Sequence, residues 1–203
     1  MTKGIPIVIS AASGTGKTSL CRRLLETLSH TSRSISFTTR QPRGEERDGQ
    51  DYHFISDARF DEMVDADAFI EWARVFEHRY GTGLEAVNQQ LEQGLDVLLD
   101  IDVQGGSQIR ERLPGALLVF LLPPSMDELR RRLMNRGTDA LDAIERRLEK
   151  ARGEIERARD YEFLVINDEF ERAAGDLRAI IRARRLATNR PLELVERLVS
   201  PSR

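Results

Sequence analysis

Residues 5–18, Ile5-Pro6-Ile7-Val8-Ile9-Ser10-Ala11-Ala12-Ser13-Gly14-Thr15-Gly16-Lys17-Thr18, decide how the rest of the chain is understood. A short β-branched apolar run breaks at small residues and glycines. From Lys17 onward Leu20, Leu24, Leu25 and Leu28 recur on one helical face. The pattern is strand, glycine loop, helix. Three further apolar runs, Leu95 to Leu99, Ala116 to Leu122 and Phe163 to Ile166, have no polar face, as expected of strands buried on both sides of a parallel sheet. Helical stretches alternate with them: Leu84 to Gln93, Ser125 to Asn135, Ala143 to Asp160 and Glu171 to Ala187. Such alternation predicts an α/β fold, a parallel-sheet core with helices on both faces.

The 203 residues suit one domain with a substantial core. Net charge is −3, so no general basic excess points to nucleic acid or an anionic membrane. The apolar runs fall short of the roughly 20 residues a membrane span needs. The first residues lack the pattern of a signal peptide. Cys21, the single cysteine, excludes a disulfide framework or a Cys-based metal site and reads as a small buried filler. A soluble cytoplasmic protein is the expectation.

Two regions depart from the core pattern. Residues 33–83 hold most of the aromatics, Phe37, Tyr52, Phe54, Phe60, Phe69, Trp72, Phe76 and Tyr80, and are expected to form a small inserted mixed α/β subdomain with its own mini-core. Residues 125–160 lack aromatics and, from Asp127 to Asp160, carry ten Arg+Lys and nine Asp+Glu. Ile144, Leu148, Ala151, Ile155 and Ala158 still make a thin helical stripe there, suited to a lid or to a solvated hairpin. Ser125 is a natural N-cap for the first of its helices. The core is thus 1–32, 84–124 and 161–203 of a single domain.

Ala11-Ala12-Ser13-Gly14-Thr15-Gly16-Lys17-Thr18 resembles a P-loop, G-x-x-x-x-G-K-[ST], with Ala11 in place of the first glycine. That substitution is tolerated if residue 11 keeps a negative φ, since Gly14 and Gly16 remain for unusual dihedrals. Loop N–H groups and the helix N-terminus form a nest for phosphate oxygens. Lys17 is then expected at the β/γ-phosphates of ATP, and the Thr18 hydroxyl on Mg²⁺.

Ser36-Phe37-Thr38-Thr39-Arg40-Gln41-Pro42-Arg43, with Tyr52 nine residues on, sets two arginines on a non-helical backbone where their planar forks suit phosphate oxygens. Together with Phe69-Ile70-Glu71-Trp72, Tyr80-Gly81-Thr82 and Leu99-Asp100-Ile101-Asp102 followed by Gln104-Gly105, these motifs make the chain resemble the guanylate kinases. Those P-loop enzymes phosphorylate GMP or dGMP with ATP. The resemblance runs from Ile5 to roughly Arg185. It implies that Ser36, Glu71, Thr82 and Asp102 surround the guanine base, and that Arg40, Arg43, Tyr52 and Tyr80 hold the GMP phosphate. It also implies that Asp100 lies near the metal and acceptor, that Arg132, Arg136 and Arg147 are lid arginines over the triphosphate, and that Asn167 lies near adenine. Chemistry agrees: one carboxylate such as Glu71 can accept both guanine N1–H and N2–H₂, while O6 needs a hydroxyl donor, Ser36 or Thr82. Sites built on such bonds reject the wrong partner by roughly 10⁴–10⁵-fold.

Lys17, Arg40, Arg43, Arg136 and Arg147 are therefore the candidate catalytic residues; His30, His53 and His78 are read as incidental. The sequence departs from the family at Ala11, at Thr82 where some members have serine, and at Gly44-Glu45-Glu46, where the glycine comes one place early but Glu46 keeps the acidic position. Two other readings compete: a P-loop kinase for a phosphorylated sugar, and a guanylate-kinase-like module without catalysis that binds partner proteins. Oligomeric state and the purpose of the basic segment Arg178 to Arg190 are open at this level.

Overall fold

The structure, a computed structural model, describes residues 3–75, 77–135, 141–188 and 192–199. Five parallel strands form the main sheet: β1 (Pro6–Ala11), β2 (Thr31–Arg33), β7 (Asp96–Asp100), β8 (Leu117–Leu122) and β9 (Phe163–Ile166), in the order β2-β7-β1-β8-β9. Alternation along β1 sends Ile7 and Ile9 to one face and Val8 to the other. On the first face α1 (Lys17–Thr27) and α7 (Phe170–Thr188) cover the sheet with Leu20, Leu24, Ala173, Leu177 and Ile181. On the second, α3 (Leu84–Glu92) and α4 (Val103–Arg112) supply Val87, Leu91, Ile109 and Leu113. The expected α/β class, with helices on both faces, is the one adopted. The expected strands all appear, and Cys21 is a buried filler whose thiol burial pushes up to about 12.

A second sheet, of mixed direction, lies in residues 37–83: β3 (Phe37–Thr38), β4 (His53–Phe54), β5 (Phe69–Val75) and β6 (His78–Gly83), ordered β4-β3-β6-β5, with α2 (Asp57–Asp65) packed on it. Its interior is aromatic: Phe60 stacks on Phe69 at 4.6 Å, and Phe37 meets Phe69 edge-on at 5.8 Å. The Arg79 guanidinium lies 4.6 Å over the Phe60 ring while Asp57 and Asp61 grip its edge. Trp72 meets Phe60 edge-on at 6.1 Å at the rim of this mini-core and stays 39% exposed. Phe76 lies outside the described residues.

The helical pair α5 (Met126–Met134) and α6 (Leu141–Glu156) rests on Ala12 of the glycine loop through Leu129, Leu133, Ile144, Leu148 and Ala151. Ser125 caps α5 by accepting from the Glu128 N–H at 3.1 Å. The helix expected to run to Asp160 stops at Glu156 and continues as a 3₁₀ turn over Arg157–Asp160. Finally α8 (Leu192–Val199) ends the described chain.

Sequence periodicity missed β2, α2 and α4. Helix α4 begins Val103-Gln104-Gly105-Gly106, whose two glycines are poor helix formers. It is nucleated instead by Asp102, whose carboxylate accepts from the Gly105 N–H at 2.9 Å. Its glycines serve packing, since a Cβ on Gly106 would sit 2.2 Å from the Tyr161 hydroxyl.

The basic C-terminal helix has a structural task. Arg185 on α7 pairs with the buried Asp96 at the start of β7 and donates to the Ser29 carbonyl (3.1 Å) and the Thr31 hydroxyl (2.9 Å). Asp96 also accepts from the Ile5 N–H at 2.9 Å, so one carboxylate ties β7, the residue entering β1 and α7 together. Removing one partner of such a pair strands the other. Arg185→Ala is expected to cost about 3 kcal/mol, lowering the thermal midpoint by roughly 6–12 °C, with KM values unchanged; calorimetry alongside steady-state kinetics checks both halves.

Candidate active site

Strand β1 delivers its carboxyl end to a loop whose geometry demands glycine. Gly14 and Gly16 adopt φ of 97° and 100°, left-handed values that side-chain-bearing residues avoid. Space forbids a Cβ as well: at Gly14 it would lie 2.9 Å from the Leu133 side chain, at Gly16 2.6 Å from the Asn167 amide nitrogen. Ala11, by contrast, is the last residue of β1, paired with Leu121, and keeps the negative φ that makes its methyl harmless. The backbone turns through a Thr15 N–H to Ala12 carbonyl bond of 3.2 Å and enters α1 at Lys17. Gly16 caps α1 without a side-chain bond, so no cap side chain takes up the first N–H groups of the helix.

The Lys17 ammonium donates to the Ile101 carbonyl and pairs with the Asp100 carboxylate, each at 2.7 Å. Since β1 and β7 are neighbours, this link spans the carboxyl ends of adjacent parallel strands, where open α/β sheets bind ligands. A cavity of about 380 Å³ lies on one side, lined by Ala11, Ala12, Ser13, Gly14, Gly16, Lys17 and Thr18 of the loop and by Arg147 of α6. Arg147 donates to the Ser13 hydroxyl at 3.3 Å. On the other side a cavity of about 390 Å³ is lined by Ser36, Arg40, Arg43, Tyr52, Glu71, Tyr80, Asp100 and Asp102. Lys17, Thr18 and Asp102 border both.

Glu71 forms the buried acidic wall of the second cavity, 7% exposed. The Thr82 hydroxyl donates to it at 2.6 Å. Burial, with Asp102 nearby, pushes its carboxyl up to about 7 despite that bond. Gly105 is what lets Glu71 approach α4, for a Cβ there would stand 2.5 Å from the carboxylate. Thr82, expected at the base, does not line the cavity; its hydroxyl is committed to Glu71, and of the two hydroxyls expected to face O6 only Ser36 lines the wall.

Arg40 is also buried, 6% exposed, and forks onto Glu46 through two bonds of 2.6 and 2.7 Å, with its guanidinium 4.9 Å over the Tyr52 ring. Glu46 further accepts from the Arg43 N–H at 2.8 Å, and this company holds its carboxyl down to about 2. The early glycine, Gly44, takes φ 57° and completes that turn. Glu46 therefore organises the arginine pair, a role the acidic position alone did not reveal. Arg33 and Ser34, which no motif marked, also line this cavity from the end of β2.

Arg132 and Asn167 stand behind the glycine loop rather than in either cavity. The Asn167 amide donates to the Thr15 carbonyl at 2.7 Å, and Arg132 donates to the Thr15 carbonyl (3.3 Å) and the Asn167 carbonyl (2.9 Å). Arg136 lies outside the described residues. Thr18 and Asp100 share a cavity wall, and a hydroxyl with a carboxylate is the oxygen set that suits Mg²⁺ when phosphates and water complete its shell. Among the described residues no cluster of three or more acidic, His or Cys side chains offers an all-protein metal cage.

A phosphate nest that meets a basic, acid-walled acceptor cavity at one lysine places the chain among the P-loop kinases. A family model, guanylate kinase, matches residues 3–184. The chain is 48% identical over 200 residues to the guanylate kinase of Neisseria meningitidis serogroup B, covering 98% of both, and 45% identical over 193 residues to that of Geobacter metallireducens, covering 95% of both. The crystal structure of guanylate kinase from Anaplasma phagocytophilum superposes with a TM-score of 0.73 at 30% identity, over 90% of this chain and 87% of that one. A gluconokinase from Sinorhizobium meliloti, 18% identical with a TM-score of 0.50 over 93% of this chain and 97% of that one, shares the fold alone. The chain belongs to the guanylate kinase family. No helix among the described residues is long and apolar enough to cross a membrane.

The raised Glu71 carboxyl has a signed consequence for stability. Below pH about 4.5 it is protonated in folded and unfolded chains alike; between there and its folded value of about 7 only the unfolded chain ionises, so stability falls with rising pH by about 3 kcal/mol. Glu71→Gln, which keeps an acceptor for Thr82, is expected to remove that component. Thermal melts at pH 5 and pH 8 should show a smaller pH 8 deficit in the variant than in the wild type.

Proposed function

We propose that the protein transfers the γ-phosphoryl group of ATP in line to the phosphate of GMP or dGMP, giving GDP or dGDP in purine nucleotide metabolism of the cytoplasm. The observation that carries this reading is the abutment of the two cavities at Lys17. Labour divides along the chain: the core (1–32, 84–124, 161–203) holds the triphosphate, the insert (33–83) the acceptor, and the hairpin (125–160) acts as lid.

Phosphoryl transfer passes through a loose transition state, so positioning and charge neutralisation dominate. Loop N–H groups from Ala11 to Thr18 receive the β- and α-phosphate oxygens, and Lys17 leaves Asp100 to meet the group in flight. Arg147 approaches from α6, while Arg132 and Asn167 brace the loop on which the ATP sits; the resemblance implies a like role for Arg136. Thr18 and Asp100 would hold Mg²⁺, which would supply charge neutralisation on phosphate oxygens. Arg40, Arg43, Tyr52 and Tyr80 grip the acceptor phosphate, offsetting repulsion between two polyanions. That phosphate is already anionic at pH 7, so no general base is required. Glu71, ionised on binding, accepts guanine N1–H and N2–H₂; Ser36 donates toward O6, with Asp102 beside them. Closure of lid and insert excludes water that would otherwise hydrolyse ATP.

ADP formation measured with GMP, dGMP, AMP, UMP, dTMP and ribose phosphates tests the reading. GMP and dGMP should turn over, and Lys17→Ala should lower kcat by about 10²–10³-fold, the scale of losing one transition-state charge donor. No turnover with any acceptor despite ATP binding would sink it. Because binding needs the Glu71 carboxylate, KM for GMP should rise as pH falls below about 7, while KM for ATP does not follow.

A further inference from the structure

Strand β5 ends its sheet, so one side of its backbone has no strand neighbour. It is also irregular. Phe69 pairs with Gly83 and Glu71 with Thr82, so two steps along β5 match one along β6, and Ile70 is the extra residue of a bulge. The bulge lets three successive side chains take three destinations. Phe69 enters the aromatic mini-core, Ile70 enters the main core beside Val8 and Leu99, and Glu71 enters the acceptor cavity. A bulged, unpaired edge is a soft support for a specificity carboxylate.

Helix α4 supplies the missing neighbour. The Gln108 carboxamide accepts from the Trp72 N–H at 3.2 Å and donates to the Trp72 carbonyl at 3.1 Å, the two bonds a paired strand residue would make. One turn on, Arg112 donates to the Phe69 carbonyl at 2.7 Å. These contacts bracket Ile70 and Glu71, and they come from the helix whose first turn, through Asp102 and Gly105, forms the floor under Glu71. The α4 backbone therefore sets both the position of the Glu71 carboxylate and the surface it lies on.

We propose that Gln108 is a positioning residue for guanine specificity, acting through the Trp72 backbone to hold Glu71 in register with the base. The inference rests on the reading that Glu71 receives the guanine N1–H and N2–H₂ edge. Gln108 touches no substrate; its effect is on which base is accepted.

The test compares GMP with inosine monophosphate, which lacks the N2 amine, in wild type, Gln108→Met, Gln108→Glu, Glu71→Gln and the Glu71→Gln/Gln108→Met double variant. Gln108→Met keeps side-chain length without either bond and is expected to lower the GMP-to-inosine-monophosphate ratio of kcat/KM by about tenfold, the scale of one hydrogen bond, mainly through KM for GMP and with KM for ATP unchanged. Gln108→Glu retains the acceptor for the Trp72 N–H and should fall between, which also covers failure of the Met variant to fold. The double variant should discriminate no worse than Glu71→Gln alone. If Glu71→Gln loses discrimination while Gln108→Met keeps it, or if their losses add, the inference is overturned and the Glu71 reading stands. If Glu71→Gln discriminates as wild type does, that reading falls and the inference with it.

Discussion

The Lys17 ammonium, 2.7 Å from both the Asp100 carboxylate and the Ile101 carbonyl, joins the carboxyl ends of two adjacent parallel strands. Everything around it follows from having to place a cation there. Parallel order puts β1 beside β7, so the loop after one and the acidic strand end of the other arrive together. The glycines at 14 and 16 shape the loop that projects Lys17. Leu129 and Leu133 press on that loop from the helical hairpin, and Asn167 and Arg132 hold it from behind at Thr15. A P-loop that needs so many partners is a tertiary object, even though its sequence is local.

Electrostatic preparation is the second theme. Two buried arginines of the insert are each given carboxylate partners. Arg40 has Glu46, and Arg79 has Asp57 and Asp61 while resting on Phe60. Such pairing keeps a buried guanidinium tolerable before any phosphate arrives, and it fixes the plane of the fork. Glu71 is the opposite case, a buried carboxylate whose bonded partner is a hydroxyl instead of a cation, which is why its affinity for a proton rises. A ligand offering two N–H donors is the natural replacement for that proton.

Much was legible in the chain itself. Strands β1, β7 and β8 announce themselves because a parallel strand buried on both faces must be apolar throughout; β9 is equally apolar but lies at the sheet edge, where only Val165 is buried and Phe163, Leu164 and Ile166 are exposed, against the expectation. The helices α1, α3, α5, α6 and α7 do so because each buries one periodic stripe. The site residues Lys17, Arg40, Arg43, Tyr52, Glu71, Tyr80, Asp100 and Asp102 follow from chemistry at fixed spacing, and the structure gathers all of them around one cleft. Helix α4 was not legible, because its glycines argue against a helix and only the Asp102 cap and the tight approaches of Glu71 and Tyr161 explain them. Thr82 shows the same limit: its partner Glu71 lies across a bulged strand pair, and a one-residue slip in pairing moves every side chain to another face.

The sequence by itself determined the α/β class, the glycine loop and the kinds of groups that line the second cavity, since those depend on local periodicity, dihedral tolerance and side-chain chemistry. Only the tertiary structure decided that Thr82 serves Glu71, that Glu46 orders Arg40, that Arg132 and Asn167 brace the loop, and that α4 seals the free edge of β5. Those outcomes are choices of partner among residues far apart in the chain. They are settled by which surfaces pack and which buried polar groups would otherwise go unpaired, quantities that no stretch of sequence contains on its own.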